Sequence, residues 1–292
     1  RYEGHTDSIG GAGIVAKHLR AAGATVTFST VLGDDALKDF VLEDLQSAGV
    51  DAQAVIDPTR LTTNKNSFIA GGYRLLKVDT LDNRSVSDKI LEELKEKISS
   101  SDEDAIVFSD FRHGIFSRET IPALVEAIPE GVFRVGDSQV ASRWGNILDF
   151  HDFDLITPNE KEARFALGDQ DTVIRPLGSE IYRQARCKTL ILKIGERGLI
   201  TFRASVTEAP DLRQFFVMDS FAGHVVDAVG AGDALLAYAT LAMKATGSEV
   251  IASVLGSLAA GVECEKDGNI PVSPDDVRRK LKDIENHANY SS

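Results

Sequence analysis

The 292 residues include only two cysteines, two methionines and one tryptophan, and aromatics make up just 7%. Cys187 and Cys264 lie far apart, and neither has a second Cys or a His at ligand spacing, so neither a disulfide framework nor a zinc site is supported. Both read as buried thiols in a reducing compartment. Long apolar runs are missing as well: no stretch approaches the roughly 20 residues a membrane span needs, and no signal peptide opens the chain. The cytoplasm is the expected location. Positive charge is scarce, with 32 Lys and Arg against 45 Asp and Glu and a formal charge of −13. Nucleic acid and anionic membranes need clustered cations, so neither is expected as a partner. A small anionic ligand needs only a local site and stays open. G-x-x-x-x-G-K-[ST], G-x-S-x-G and H-E-x-x-H are absent. The six histidines form no nucleophile or metal constellation; each, including His113 and His224 near loops of interest, reads as a surface or capping residue. Trp144 reads as helix packing.

What is present is an ordinary globular composition, 43% apolar and 26% charged, long enough for a large core. Apolar β-branched runs alternate with amphipathic stretches, the signature of βαβ units in a parallel sheet with helices on both faces. Strands are expected over Thr25–Val31, Ala105–Ser109, Val132–Gly136, Phe153–Thr157, Thr189–Ile194, Leu199–Arg203 and Gln214–Met218. Helices are expected over Asp35–Ser47, Ser87–Ser99, Ser117–Ala127, Asn159–Leu167 and Gly178–Arg186, then Ala234–Lys244, Glu249–Glu263 and Ser273–His287. Asn66–Ala70 and Tyr73–Asp79 flank Gly71-Gly72, a hairpin signal because both turn residues tolerate positive φ. With no repeat and no linker, residues 1–292 are expected to form one domain, with a β lid over about 62–82.

The segment Asp227-Ala228-Val229-Gly230-Ala231-Gly232-Asp233 runs straight into an apolar helix start. Glycines leave the backbone N–H groups uncovered and the helix adds its positive end, which together make an anion site. An acid placed there repels phosphate, unless Asp233 must take a proton from a hydroxyl that attacks the phosphate. The plainer alternative is an Asp N-cap after a glycine turn. Thr157-Pro158-Asn159-Glu160-Lys161-Glu162 sits between a strand end and a helix start. Asn159 and Glu162, one turn apart, suit a hydrated Mg²⁺, or else form a capping box. Lys193–Gly198 is either a loop against a nucleotide or a tight turn. Gly11, Gly13 and Ala16 fit G-x-G-x-x-A, with Asp34 and Asp35 following, which points to a dinucleotide-binding oxidoreductase; yet no strand pattern precedes it.

Taken in order, these segments resemble the ribokinase/PfkB family of carbohydrate kinases over nearly the whole chain. Thr62-Thr63-Asn64-Lys65, Ile69-Ala70-Gly71-Gly72, Leu75-Leu76-Lys77-Val78-Asp79 and Ser109-Asp110-Phe111 are most similar to the kinase domain of bifunctional ADP-heptose synthases. The resemblance implies a ribokinase-like three-layer α/β/α fold with a mostly parallel central sheet and a small β-hairpin lid. It implies ATP-dependent phosphorylation of a sugar or sugar-phosphate hydroxyl, with heptose 7-phosphate the best match. Asp233 would be the base, and Gly230, Ala231 and Gly232 the anion hole. Asn159 and Glu162 would hold Mg²⁺ through water. Asn159, Lys193, Gly195, Gly198 and Ser257 would border ATP, while Gly10, Gly11, Lys65 and Asp110 would face the sugar. Asp227 would help bind a monovalent cation such as K⁺. A homodimer through the lid and a fused or separate nucleotidyltransferase are the implied partners. The sequence also departs from the family: Ile14 stands at a usual Asn, Ala228 at a Thr, Asp137-Ser138-Gln139 at Asp-Pro-Lys, and Ser257 near an Asn. The family's first strand, with its sugar-binding Asp, has no counterpart and is expected to be missing from this chain. A homologue that binds sugar and nucleotide without catalysis is the nearest alternative.

Overall fold

The structure, a computed structural model, describes residues 4–71, 73–139, 146–203 and 214–290. Helix α1 (Ala12–Ala21) leads into strand β1 (Thr27–Leu32), α2 (Ala36–Ser47) and β2 (Asp51–Ile56). The hairpin β3 (Asn64–Ala70) and β4 (Tyr73–Thr80) follows, then α3 (Asp88–Ser99), β5 (Ala105–Asp110), α4 (Thr120–Glu126), β6 (Phe133–Ser138) and the short β7 (Leu155–Ile156). The chain continues through α5 (Glu160–Leu167), α6 (Ile174–Ala185), β8 (Thr189–Lys193), β9 (Leu199–Arg203) and β10 (Phe215–Met218). Helices α7 (Ala231–Thr246), α8 (Glu249–Cys264) and α9 (Pro274–Tyr290) complete it.

The central sheet runs β5-β6-β7-β8-β9-β10. Its first four strands are parallel, while β9 and β10 are antiparallel. Strand polarity reverses after β8 because the Gly195–Arg197 turn is too short for a crossover. Consecutive residues of a strand face opposite sides, so Leu190 and Leu192 pack with Leu177 and Ile181 of α6, whereas Ile191 packs with Leu236 and Ala239 of α7. Two cores on the two faces of one sheet make the expected three-layer arrangement. Strands β1 and β2 form a separate parallel pair.

Several elements differ from expectation. Strand β2 was not foreseen: Asp51-Ala52-Gln53-Ala54 has weak strand propensity, and pairing with β1 creates it. Helix α6 begins four residues before the expected Gly178, because Pro176 in the first turn forfeits no helical hydrogen bond. Residues 117–119 of the expected helix do not join α4; the Ser117 hydroxyl instead accepts from the Thr120 N–H and the Ser117 N–H donates to the Thr120 hydroxyl, a turn ahead of the helix. Of Phe153–Thr157, only Leu155 and Ile156 enter the ladder. Cys187 is buried, but Cys264 is only partly so. His18 is no surface residue: it is fully buried, its Nδ1 accepts from the Val272 N–H at 3.1 Å, and burial pushes its pKa down to about 4. Trp144 and Gly72 lie outside the described residues. Among the described residues, no helix is long and apolar enough to cross a membrane.

The hairpin stands apart from the sheet, with Phe68, Ile69, Tyr73, Leu75 and Leu76 all more than half exposed. Its root is held by Arg60, whose Nε bonds Asp57 at 2.7 Å while Nη1 and Nη2 reach the carbonyls of His113 and Arg84. Gly114 fits this root because a Cβ there would meet the Arg84 carbonyl oxygen at 2.2 Å.

Candidate active site

Parallel strands end together at one edge, where α/β proteins bind ligands. Here that edge gathers Asp110 from β5, Asp137 from β6, Asn159 just after β7 and Lys193 from β8. Asn159 and Lys193 form an isolated parallel bridge, and the Lys193 N–H donates to the Pro158 carbonyl at 2.9 Å. The Asn159–Glu162 capping box is present, and it determines how Glu162 faces the cluster. Asn159 Oδ1 accepts from the Glu162 N–H, Glu162 Oε2 accepts from the Asn159 N–H, and Asn159 Nδ2 donates to Oε1 at 2.6 Å. Glu162 is buried, and burial, opposed by Lys193 and reinforced by Asp137, raises its pKa to about 7.

Gly230, at φ 87°, is the N-cap of α7, and Asp233 is the third residue of the helix. The alternative of an Asp N-cap is therefore not realised. The first-turn N–H groups of a helix have no partner within it and point out from its positive end. Asp233 is 8% exposed. Burial first, then the Asp137 charge, raises its pKa to about 7, while Lys193 pulls the other way. A carboxylic acid that titrates near neutrality is suited to take up a proton.

Lys193 joins the two halves. Its Nζ lies 3.1 Å from Asp137 Oδ1, which also accepts from the Thr157 hydroxyl at 2.8 Å. A Cβ on Gly232 would lie 3.2 Å from the same Nζ, so the ammonium sits against the glycine turn ahead of Asp233. Burial opposes the charge, yet Asp137 and Glu162 hold the Lys193 pKa above the usual lysine value. Asp137 was noted from sequence only as a departure; its pairing across 56 residues could not be seen there.

A second wall lies beside Gly11, the N-cap of α1 at φ 57°, where an added Cβ would be 3.7 Å from the Phe111 ring. Lys65 of the hairpin places Nζ 5.6 Å from the Phe111 centroid, close enough to Asp233 for their charges to interact. His113, read from sequence as surface or capping, is part of this wall. Its ring stacks on Phe111, Nδ1 lies 3.2 Å from Asn83 Oδ1, and burial together with Lys65 lowers its pKa to about 4. Gly10 borders Asn269, whose Nδ2 donates to the Ile9 carbonyl. Asp110 is enclosed: it accepts from the Arg112 N–H at 2.7 Å and pairs with the Arg112 guanidinium, and Ser138 donates to it. It shapes the loop that carries Phe111. Gly195 opens the turn after β8, and Gly198 is required there, because a Cβ would meet the Met218 carbonyl oxygen at 2.0 Å. Ser257 is buried on α8. Asp227 is half-buried, with Oδ1 accepting from the Val229 N–H at 3.0 Å. Ile14 is core, 1% exposed.

Fold and site together define the ribokinase-like class of α/β proteins. Residues 4–276 match the pfkB family carbohydrate kinase, and the chain belongs to that family. Membership of that family sets aside the dinucleotide-linked oxidoreductase alternative. The chain is 29% identical over 282 residues to the Bifunctional protein HldE of Geobacter metallireducens and 31% identical over 278 residues to that of Caulobacter vibrioides. It covers 54% of each, so the chain spans about half the length of these relatives. Among solved structures it is similar to phosphofructokinase-2 from Escherichia coli, in a tetrameric inhibited form, with TM-score 0.75 and 19% identity over 94% of this chain and 87% of that one. It is also similar to Arabidopsis thaliana ribokinase complexed with ribose and ATP, with TM-score 0.70 and 18% identity over 92% and 86% of the two chains.

Proposed function

We propose that the protein transfers the γ-phosphoryl group of ATP to a hydroxyl of a sugar phosphate, with heptose 7-phosphate as the acceptor. The observation that carries this is Asp233: buried, not the cap of its helix, and set in the first turn of α7 where the Lys193 charge acts on it. Asp233 accepts the proton of the acceptor hydroxyl as its oxygen bonds to the γ-phosphorus. The bond to the bridging oxygen breaks, and ADP leaves with that electron pair. The amides of Gly230, Ala231 and Gly232 face the charge that builds on the phosphoryl oxygens, the Ala231 N–H turning to it from its long 3.4 Å bond to the Ala228 carbonyl. Lys193 adds a positive charge from beneath the turn. Asn159 and Glu162 fit a hydrated Mg²⁺, which when bound neutralises the nucleotide phosphates. Gly195, Gly198 and Ser257 border the nucleotide. Gly10, Gly11 and Phe111 form the sugar floor, Asp110 braces it, and Lys65 on the hairpin covers it.

The hairpin excludes water, which otherwise competes as nucleophile. Its exposed apolar side chains suit pairing with a second copy, making a homodimer. Asp227 is assigned to a cation behind the turn, monovalent in the family reading. The family resemblance implies a nucleotidyltransferase, fused or separate, as a partner, and the reaction is assigned to the cytoplasm. The test is a panel of free and phosphorylated hexoses and heptoses with MgATP, read as ADP release. Asp233→Asn should lower kcat by about 10³-fold or more with little change in MgATP affinity. Turnover that survives this substitution would remove Asp233 from the reaction, and a wild-type protein that binds MgATP and sugar without turnover would indicate the non-catalytic alternative.

A further inference from the structure

Beside the sugar floor, the chain holds one residue in a backbone conformation it would not choose. Arg112, between Phe111 and His113, has φ 54°, in the left-handed region where a Cβ crowds the backbone. A bulky residue keeps that conformation only where its surroundings impose it. Here two carboxylates do so. The Arg112 N–H donates to Asp110 Oδ1 at 2.7 Å. The guanidinium is buried, with Nη2 donating to Asp149 Oδ2 at 2.7 Å. Its Nε lies 2.6 Å from Asp110 Oδ2, a charge contact without the direction of a hydrogen bond. Asp110 ends β5 and is 1% exposed, whereas Asp149 closes the short turn Ile147–Asp149, 37 residues along from Arg112. One side chain thus ties the loop after β5 to a separate segment.

What the turn holds in place is the Phe111 ring. A Cβ on Gly11 would lie 3.7 Å from that ring, the Lys65 ammonium lies 5.6 Å from its centroid, and His113 stacks on it with centroids 6.5 Å apart. Relaxing φ of Arg112 to the common negative range rotates everything beyond its N–Cα bond against everything before it, so the Phe111 and His113 rings part. We propose that Arg112 is a positioning residue for the sugar acceptor: gripped by Asp110 and Asp149, it keeps the left-handed turn that holds Phe111 against Gly11 as a fixed floor. This rests on the reading of Gly11 and Phe111 as the sugar floor and adds what fixes it. Arginine suits the task and lysine does not, because a planar fork meets carboxylates on two segments at once, while a compact ammonium meets one. A floor fixed before binding spares the acceptor the cost of ordering it, so the clamp acts on acceptor affinity rather than on the nucleotide.

The test uses the full chain and two variants. Arg112→Lys keeps a cation between the buried carboxylates, and Asp149→Asn keeps an oxygen for Nη2 but drops its charge. In ligand-free protein, hydrogen exchange over residues 109–114 should quicken about tenfold in Arg112→Lys and less in Asp149→Asn, with β8 and β9 unchanged. At saturating MgATP, KM for heptose 7-phosphate should rise about tenfold in Arg112→Lys, while kcat and KM for MgATP stay within about twofold. On a Phe111→Ala background the same substitution should add less than about twofold, because the ring it positions is gone. A rise that persists in full on that background would overturn the proposal, since Arg112 would then act other than through Phe111. Losses spread equally over kcat and both KM values, in step with a lowered melting temperature, would overturn it by reducing the clamp to a stability device. Unchanged exchange over residues 109–114 in Arg112→Lys would overturn it whatever the turnover. Faster exchange in a chain whose wild type does not turn over heptose 7-phosphate would uphold the clamp and refute that acceptor, so the two failures are separately visible.

Discussion

Replacing Asp137 by Asn and Lys193 by Met should move the titration of Asp233 in opposite directions. Asp137 repels the ionised base, and Lys193 attracts it. Removing the first favours the carboxylate and lowers its pKa; removing the second raises it. A unit charge within roughly 6 Å, at an effective dielectric near 20, contributes about 3 kcal/mol, or about two pH units. Relaxation and entering water reduce this, so a shift of about one unit is expected for each variant. Asp137→Asn is a clean perturbation because the Lys193 and Thr157 bonds both end on Oδ1, which the amide retains as an oxygen. The assay is kcat/KM for the sugar acceptor at saturating MgATP, by ADP release from about pH 5 to pH 9.5. Wild type should lose activity below about pH 7, where Asp233 is protonated. The acid limb should fall toward pH 6 in Asp137→Asn and rise toward pH 8 in Lys193→Met. Lys193→Met also strands the Asp137 carboxylate in a buried site and should cost about 3 kcal/mol of stability, checked by thermal melting. Two limbs that move together, or that stay where wild type has them, would refute the electrostatic reasoning.

Other outcomes follow from the same geometry. Asp233 has a folded pKa above its unfolded value, so its contribution to stability is present below about pH 4 and is lost as pH rises through about 7. Asp233→Asn should therefore be more stable than wild type by about 2 kcal/mol at pH 8 and indistinguishable from it at pH 4, read by thermal melting. Glu162→Gln keeps a capping partner for the Asn159 N–H but loses charge; KM for MgATP should rise about tenfold and recover in part at high Mg²⁺. Gly198→Ala at φ 85° meets the Met218 carbonyl oxygen and should cost 2 kcal/mol or more, by roughly the scale of backbone strain, in urea unfolding. Leu75→Lys on the exposed hairpin should shift a dimer toward monomer in sedimentation velocity without lowering the melting temperature of the main domain.

Local chemistry was legible along the chain wherever a short segment carried it. The glycines and acid of Gly230–Asp233, the capping spacing of Asn159 and Glu162, and the Gly-Gly hairpin all depend on neighbours a few residues away, and each forms at the expected place. Some boundaries shifted for local reasons, as at Pro176 in α6, and others where tertiary pairing intervened, as where β1 recruits the weak strand Asp51–Ile56. The reading of histidines as surface or capping groups failed at His18 because burial is decided by what packs on top, and no periodicity reports that.

What the sequence by itself determined is the order of βα units and the glycine turn at the start of α7, since both follow from propensity, glycine freedom and period. What only the tertiary structure decided is the charge environment of that turn. Lys193 meets Asp137 and Gly232, Lys65 reaches over Phe111 toward Asp233, and Glu263 comes to rest behind Gly230. Electrostatic energy falls off with distance through space, not along the chain, so the groups that tune Asp233 come from five different segments and acquire their meaning only when the sheet edge brings them within a few ångströms.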